Sequence, residues 1–316
     1  MPTGKPLNFT ADPAAAYPEL VNLRSALYAH DWPAVRTLVD SQEADARTRL
    51  ISFGGATTAV RLFLQSRTEA EPTDTLAAGM LAACLVKEAW QVRSNARAQY
   101  VSREQFAEFH QLLRDAERLL IDAAAYEPAD TAVWVQRLIT ARGLQLGQSE
   151  ARRRYDRLAE HDPHHLAGQS QLLQQLCPKW GGSFEAMDSF ARAEMLAAPE
   201  GAPNAVLVAE AHLEHLIDMT GDERRRYLTG HRVHEEIGEA AARSVLHPAF
   251  RRTIGWVAVH NTFALMFSLI GDYAAASQQF AAVGNLVSDL PWRYFGDPVT
   301  VFQEHRTRAI KRGGAW

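Results

Sequence analysis

Two histidine pairs have the spacing that most plainly suggests chemistry. His212 and His215 lie three residues apart, as do His231 and His234, and Glu210, Glu214, Asp218, Glu235 and Glu236 stand close by. Residues three apart share one helix face. Imidazole with carboxylate is also the donor set of zinc and non-haem iron sites. A helical hairpin turning at Gly221-Asp222 sets positions 212 and 231 at one height, so that His212, His231 and one further ligand could meet an ion between facing helices. The same hairpin puts His215 and His234 at opposite ends, so the four do not converge, and Gly230 is placed to bend the second helix. On this reading residues 212–236 centre a metal-dependent or small-molecule-binding enzyme; on the other, the histidines pack or are solvated.

The remaining reactive side chains point away from catalysis. His161-Asp162-Pro163-His164-His165 reads as a loop with Asp162 or His164 at a helix start. Arg152-Arg153-Arg154, Arg224-Arg225-Arg226 and Arg251-Arg252 fall near helix N-termini, where the helix dipole does not favour them. Consecutive residues point around a helix, so these read as solvated faces rather than as a patch for RNA or another anionic partner. Cys84 and Cys177 lie on apolar helical faces without a CxxC partner and read as buried core, consistent with a reducing, cytoplasmic location. The chain has no G-x-S-x-G, Walker loop, G-x-G-x-x-G after a strand, or H-E-x-x-H, and no cofactor is expected.

Composition narrows the partner classes. The 316 residues are 47% hydrophobic and 22% charged, enough for a large core, and a formal charge of −4 gives no general attraction to nucleic acid or an acidic membrane. Only four of the basic residues are lysines, a bias that with the abundant alanine hints at a GC-rich bacterial genome. Met1 to Ala16 is polar, with three prolines and no apolar run of a signal peptide. The longest apolar stretch, Ile254 to Ile270, is broken by His260, Asn261, Thr262 and Ser268 and reads as a core helix, not a membrane span.

These side chains are positioned by helices, and the stretch from Pro163 to Pro199 shows how. Two amphipathic runs, Leu166 to Cys177 and Phe184 to Leu196, flank Lys179-Trp180-Gly181-Gly182-Ser183. Pro178 stops the first run and the glycines supply a tight turn. Ser183 then stands where a cap for the second run belongs. The punctuation recurs. Pro128 to Pro163 and Pro163 to Pro199 are intervals of 35 and 36 residues, and Gly147 and Gly182 each lie 19 after the preceding proline. A period in the mid-thirties with two helices is that of a helical solenoid, in which no unit buries its apolar face alone.

In order, the chain reads as a flexible N-terminal arm over 1–17, divergent helical hairpins over 18–126, repeats over 127–290 and a capping segment over 291–316. Helices are predicted near 75–97, 102–126 (with a Ser102–Gln105 capping box), 131–146, 149–161, 164–177, 184–197, 204–219, 222–242, 249–270, 273–286 and 298–311. Residues 43–66 also carry helical periodicity, with Gly54-Gly55 as a possible break.

Ala264, Phe267, Gly271, Tyr273, Ala276 and Phe280 stand at intervals that resemble the tetratricopeptide repeat. Gly147 and Pro163 keep the frame of an earlier unit, and His30-Asp31-Trp32 stands where Gly-Asp-Tyr belongs. The resemblance covers about two thirds of the chain, with several small residues of the family replaced. It implies an α-solenoid of antiparallel helical hairpins whose first helices line a groove for a peptide or partner helix. Matched by position, the groove residues it implies are Trp134, Arg137 and Gln145, then Gln169, Lys179 and Trp180, then Asn261 and Leu265. Their amides, cations and tryptophans suit an extended peptide or a carboxylate terminus. Lys179 to Ser183 also resembles a segment of an uncharacterised bacterial domain family, a likeness that implies no activity. The expectation is a non-enzymatic scaffold for a protein or peptide, or else a peptide-responsive regulatory sensor.

Overall fold

The computed structural model describes residues 8–56, 58–94 and 98–313. Among them are sixteen α-helices and no β-strand, only an isolated bridge between Thr10 and Leu286. The chain is all-α. The expectations for residues 1–7, for 95–97 at the end of the long helix and for 314–316 lie outside the described residues. No helix among the described residues is long and apolar enough to cross a membrane.

The described residues form two compact units, one of residues 19–183 and one of residues 8–18 with 184–313. The division falls between Ser183 and Phe184. It therefore separates the two helices of the Pro163–Pro199 stretch that the sequence reads as one hairpin.

The first unit contains α1 (Pro18–Tyr28), α2 (Trp32–Asp40), α3 (Ala44–Gly55), α4 (Arg61–Ala70), α5 (Thr75–Arg93), α6 (Arg103–Tyr126), α7 (Thr131–Gly143), α8 (Gln148–Ala159) and α9 (Leu166–Leu176). Consecutive helices pair, α5 with α6 and α7 with α8, while α7 also packs on α5 and α9 on α7. The starts of these helices are built from local polar side chains. Asp74 accepts from Ala77 N–H, Ser102 and Gln105 close the expected capping box, and Asp130 accepts from Ala132 N–H. Each such cap is worth about 1 kcal/mol. At α9 the cap is His165, whose Nδ1 accepts from Gly168 N–H, because Asp162 is taken by the turn through His164 N–H.

Gly54-Gly55 does end a helix, for a reason of packing. A Cβ on Gly55 would lie 2.5 Å from Ala83 Cβ and 2.8 Å from Met80 O, so glycine there lets α3 lie close on α5. From that contact α3 runs on against α7 and α9.

The second unit holds α10 (Phe184–Ala197), α11 (Val206–Ile217), α12 (Gly221–Leu228), α13 (His231–Arg243), α14 (Trp256–Ile270), α15 (Tyr273–Val283) and α16 (Pro298–Gly313). Central α11 packs on α10, α13 and α14, and α14 on α15 and α16. The helix predicted over 222–242 is broken, because Gly230 takes an extended backbone (φ −66°, ψ 131°) between α12 and α13. Likewise the helix predicted from 249 starts only at Trp256, after Gly255 with φ +104°. Trp292 is fully buried, stacked on Phe280 and edge-on to Phe302. The described part of the N-terminal arm is tied to this unit. Thr10 exchanges backbone hydrogen bonds with Asn285 and Val287, Phe9 meets Phe302 edge-on, and Val257 N–H donates to the Tyr17 hydroxyl.

Candidate partner-binding site

Helix α3 packs on α5, α7 and α9, of which α7 and α9 carry residues that the resemblance assigns to a groove. Arg47 Nη2 donates to Asp130 at 2.8 Å, Gln136 donates to Ser52, and Ala167 N–H donates to Asp45. The Thr48 hydroxyl lies 2.9 Å from His165 Nε2. A helix cap, which usually faces water, is here a docking point for α3.

Most of the groove residues expected from the sequence are interior. Trp134 is buried with Val135 and Leu158, its indole N–H donating to Pro128 O. Arg137 stacks over Trp134, 5.0 Å from the ring centroid, and joins a buried ion cluster. In that cluster Glu117 accepts from both Arg137 and Arg154 and from the Thr140 hydroxyl, and Arg154 is also held by Glu150. Gln169 is fully buried and donates to Pro163 O. In the second unit, Asn261 donates to Val257 O and accepts from the Trp292 indole, and Leu265 is fully buried. These side chains hold helices together.

Gln145 and Lys179 are exposed and Trp180 is half-buried. Trp180 belongs to a cluster at the C-terminal ends of α5, α7 and α9. Its ring stands at 89° to Trp90, with centroids 6.1 Å apart. The Arg142 guanidinium lies 6.0 Å from the Trp90 centroid and 5.9 Å from that of Trp180, cation–π range for both. It is held in place by donating to Gln171 O and Oε1. Arg93 stacks on Trp90 from α5.

The turn carrying Trp180 is fixed by the residues that made it conspicuous in the sequence. Pro178 opens a 3₁₀ turn over Pro178–Trp180 and Gly181 closes it at φ +82°. A Cβ on Gly182 would fall 2.0 Å from Leu176 O. Gln148 and Gln175 both donate to Trp180 O, so two side-chain amides hold the loop. Trp90 and Arg142, absent from the expected set, have one sequence signal. Each sits near the end of a first helix of a hairpin, as Trp180 follows the third.

The histidines separate into a pair and two singles. His212 and His215 lie together on α11, and each has a partner from another helix. His212 Nδ1 is 2.7 Å from the Tyr227 hydroxyl, and His215 Nε2 is 2.9 Å from Asp188. His231 is exposed and pairs with Glu235, while His234 Nε2 is 3.0 Å from Leu228 O. The break at Gly230 replaces the expected 212–231 pairing with 212–227. Among the described residues no group of three or more His, Cys, Asp or Glu is arranged to hold a metal ion. Burial lowers the pKa of His212 to about 4 and raises that of Tyr227. Cys84 and Cys177 are buried, and burial with the nearby Glu88 charge raises the Cys84 thiol to about 11, which leaves it a poor nucleophile at neutral pH.

No protein-family profile matches the chain, and no curated protein is similar to it at a significant level.

Proposed function

We propose that the chain is a non-enzymatic scaffold of tetratricopeptide-like helical hairpins that binds a protein or peptide. Its contact surface is the Trp90–Arg142–Trp180 cluster with Lys179 and Gln145, at the ends of the first helices. The observation that carries this reading is the perpendicular tryptophan pair, half-exposed and pre-ordered around one guanidinium. Tryptophan and arginine are the side chains that most often dominate interface energies, and side chains already fixed lose little entropy on binding. The exposed Lys179 beside them favours an acidic segment or a carboxylate terminus. The side-by-side packing of α5, α7 and α9 supports the repeat arrangement. Because α3 lies on their faces, the partner belongs at their ends.

Affinity capture from a lysate of the source organism tests this with three forms: the native chain, a Lys179→Glu/Trp180→Ala double variant, and Arg118→Ala as a control on the exposed face of α6. A partner retained by the control and lost with the double variant is expected, since removing an interface tryptophan costs about 2 kcal/mol or more. Equal capture by a correctly folded double variant rejects the cluster as the contact surface.

A further inference from the structure

The edge that receives the N-terminal arm has the geometry of a peptide slot. Asn285, Leu286 and Val287 follow α15, and the buried Asn261 ties this run to the core by donating to Leu286 O. The outward edge pairs with the arm. Thr10 N–H donates to Asn285 O at 3.0 Å, Val287 N–H donates to Thr10 O at 2.9 Å, and the Asn285 side-chain amide donates to Asn8 O at 2.8 Å. All three bonds end on main-chain atoms of the arm. Two aromatic side chains fix its register. Phe9 stands edge-on to the fully buried Phe302, with centroids 5.6 Å apart, and the Arg306 guanidinium lies over its ring at 5.7 Å. Eight residues further on, the Tyr17 hydroxyl accepts from Val257 N–H at 3.1 Å, in the first turn of α14, where N–H groups have no intrahelical partner.

Strand addition works in this way, main-chain bonds supplying affinity and side-chain pockets supplying specificity. Here the added strand is short, a single bridge between Thr10 and Leu286. Between the anchors Ala11, Asp12, Pro13 and Ala15 are exposed, so few contacts offset the entropy of ordering the arm. Its release is therefore a local opening that leaves the helices behind it packed. What it uncovers is Asn285 O and Val287 N–H beside Phe302, an unpaired edge that serves as a template for another chain. The segment that fits this edge is the chain's own. Every copy carries both halves of the contact, as self-complementary pairing between two copies requires.

We propose that this edge is a docking site for the arm of a second copy, Asn8 to Tyr17, and that two copies exchange arms. A tethered arm meets its own edge at an effective concentration on the order of 1 mM, and it stays seated only if its dissociation constant lies below that value. The contact uses no residue of the tryptophan cluster, so either proposal can fail alone. Two full-length variants test it. Phe9→Ala/Thr10→Pro spoils the arm and keeps the edge, while Val287→Pro keeps the arm and removes the edge donor. Sedimentation of each alone is expected to show monomer, and the mixture a one-to-one dimer with a dissociation constant below about 1 mM. A peptide of the sequence Asn8 to Tyr17, blocked at both ends, disperses that dimer, and its Phe9→Ala form is about tenfold or more weaker. The native chain supplies a readout that needs no variant: exchange of the Thr10 amide proton, followed by NMR in isotope-labelled chain, speeds up when unlabelled peptide is added. A mixture of folded variants that stays monomeric at about 1 mM, a dimer formed by either variant alone, a mixed dimer that the two peptides disperse equally, or Thr10 exchange unchanged by excess peptide overturns the proposal.

Discussion

Arg154 is 2% exposed, although it ends a run of three arginines that reads as a solvated face. Arg152 and Arg153 do lie at the surface, paired with Asp156 and Glu150. A helix turns about 100° per residue, so only one of three consecutive side chains can face the neighbouring helices. The composition of the run could not say which. Only the position of Glu117 on α6, 37 residues away, decides it. The same applies to Trp134 and Asn261, whose types suit a binding surface and whose hydrogen bonds serve the interior. Breaking a buried ion cluster costs more than the cluster is worth, because the remaining charge stays desolvated. Glu117→Gln, which leaves Arg137 and Arg154 without that carboxylate, is expected to destabilise the chain by about 3 kcal/mol or more. Urea unfolding followed by circular dichroism measures this; a loss under about 1 kcal/mol would mean that the cluster relaxes into water.

At the scale of elements, local chemistry was legible wherever it is self-contained. His30 (φ +55°), Asp31 and Trp32 repeat the conformation of Gly271 (φ +85°), Asp272 and Tyr273, a left-handed residue, an aspartate cap and an aromatic residue opening the helix. That equivalence underlies the tetratricopeptide resemblance at both places. The placement of α3 was not legible, because its partners Asp130 and His165 lie 83 and 117 residues away from Arg47 and Thr48. Gly230 was legible as a bend in the second helix but not as its end, since a helix interior tolerates a single glycine at a cost of about 1 kcal/mol. The turn after α9 shows how firmly sequence and geometry agree elsewhere. Gly182→Ala forces a methyl group into the Leu176 carbonyl and is expected to cost roughly 1–3 kcal/mol while displacing Trp180. Tryptophan fluorescence and thermal melting read both effects, and a variant with native melting and an unchanged spectrum would show that the loop has slack.

At the scale of the molecule, acid should act on the two units at different pH. Burial lowers the pKa of His212 and His305 to about 4 from 6.5, and His260 shifts the same way. All three belong to the unit of residues 8–18 and 184–313. The unfolded chain binds these protons first, so this stability is present above pH 6.5 and drains away as the pH falls towards 4. In the other unit the hydrogen bonds of Arg153 and Arg154 hold Glu150 at about 2 against 4.5, a contribution lost only as the pH falls below 4.5. Hydrogen exchange at pH 5 is therefore expected to show α11, α14 and α16 losing protection before α5, α7 and α9; simultaneous loss would rule out histidine burial as the cause. The two units also differ in how the ribosome delivers them. Residues 19–183 emerge as one uninterrupted length, whereas Thr10 must wait for Asn285 and Val287 before its backbone bonds can form. At a synthesis rate of about 5–20 residues per second, that delay is on the order of tens of seconds. During translation the first unit can finish folding while the opening segment is still unpaired, accessible to chaperones and proteases.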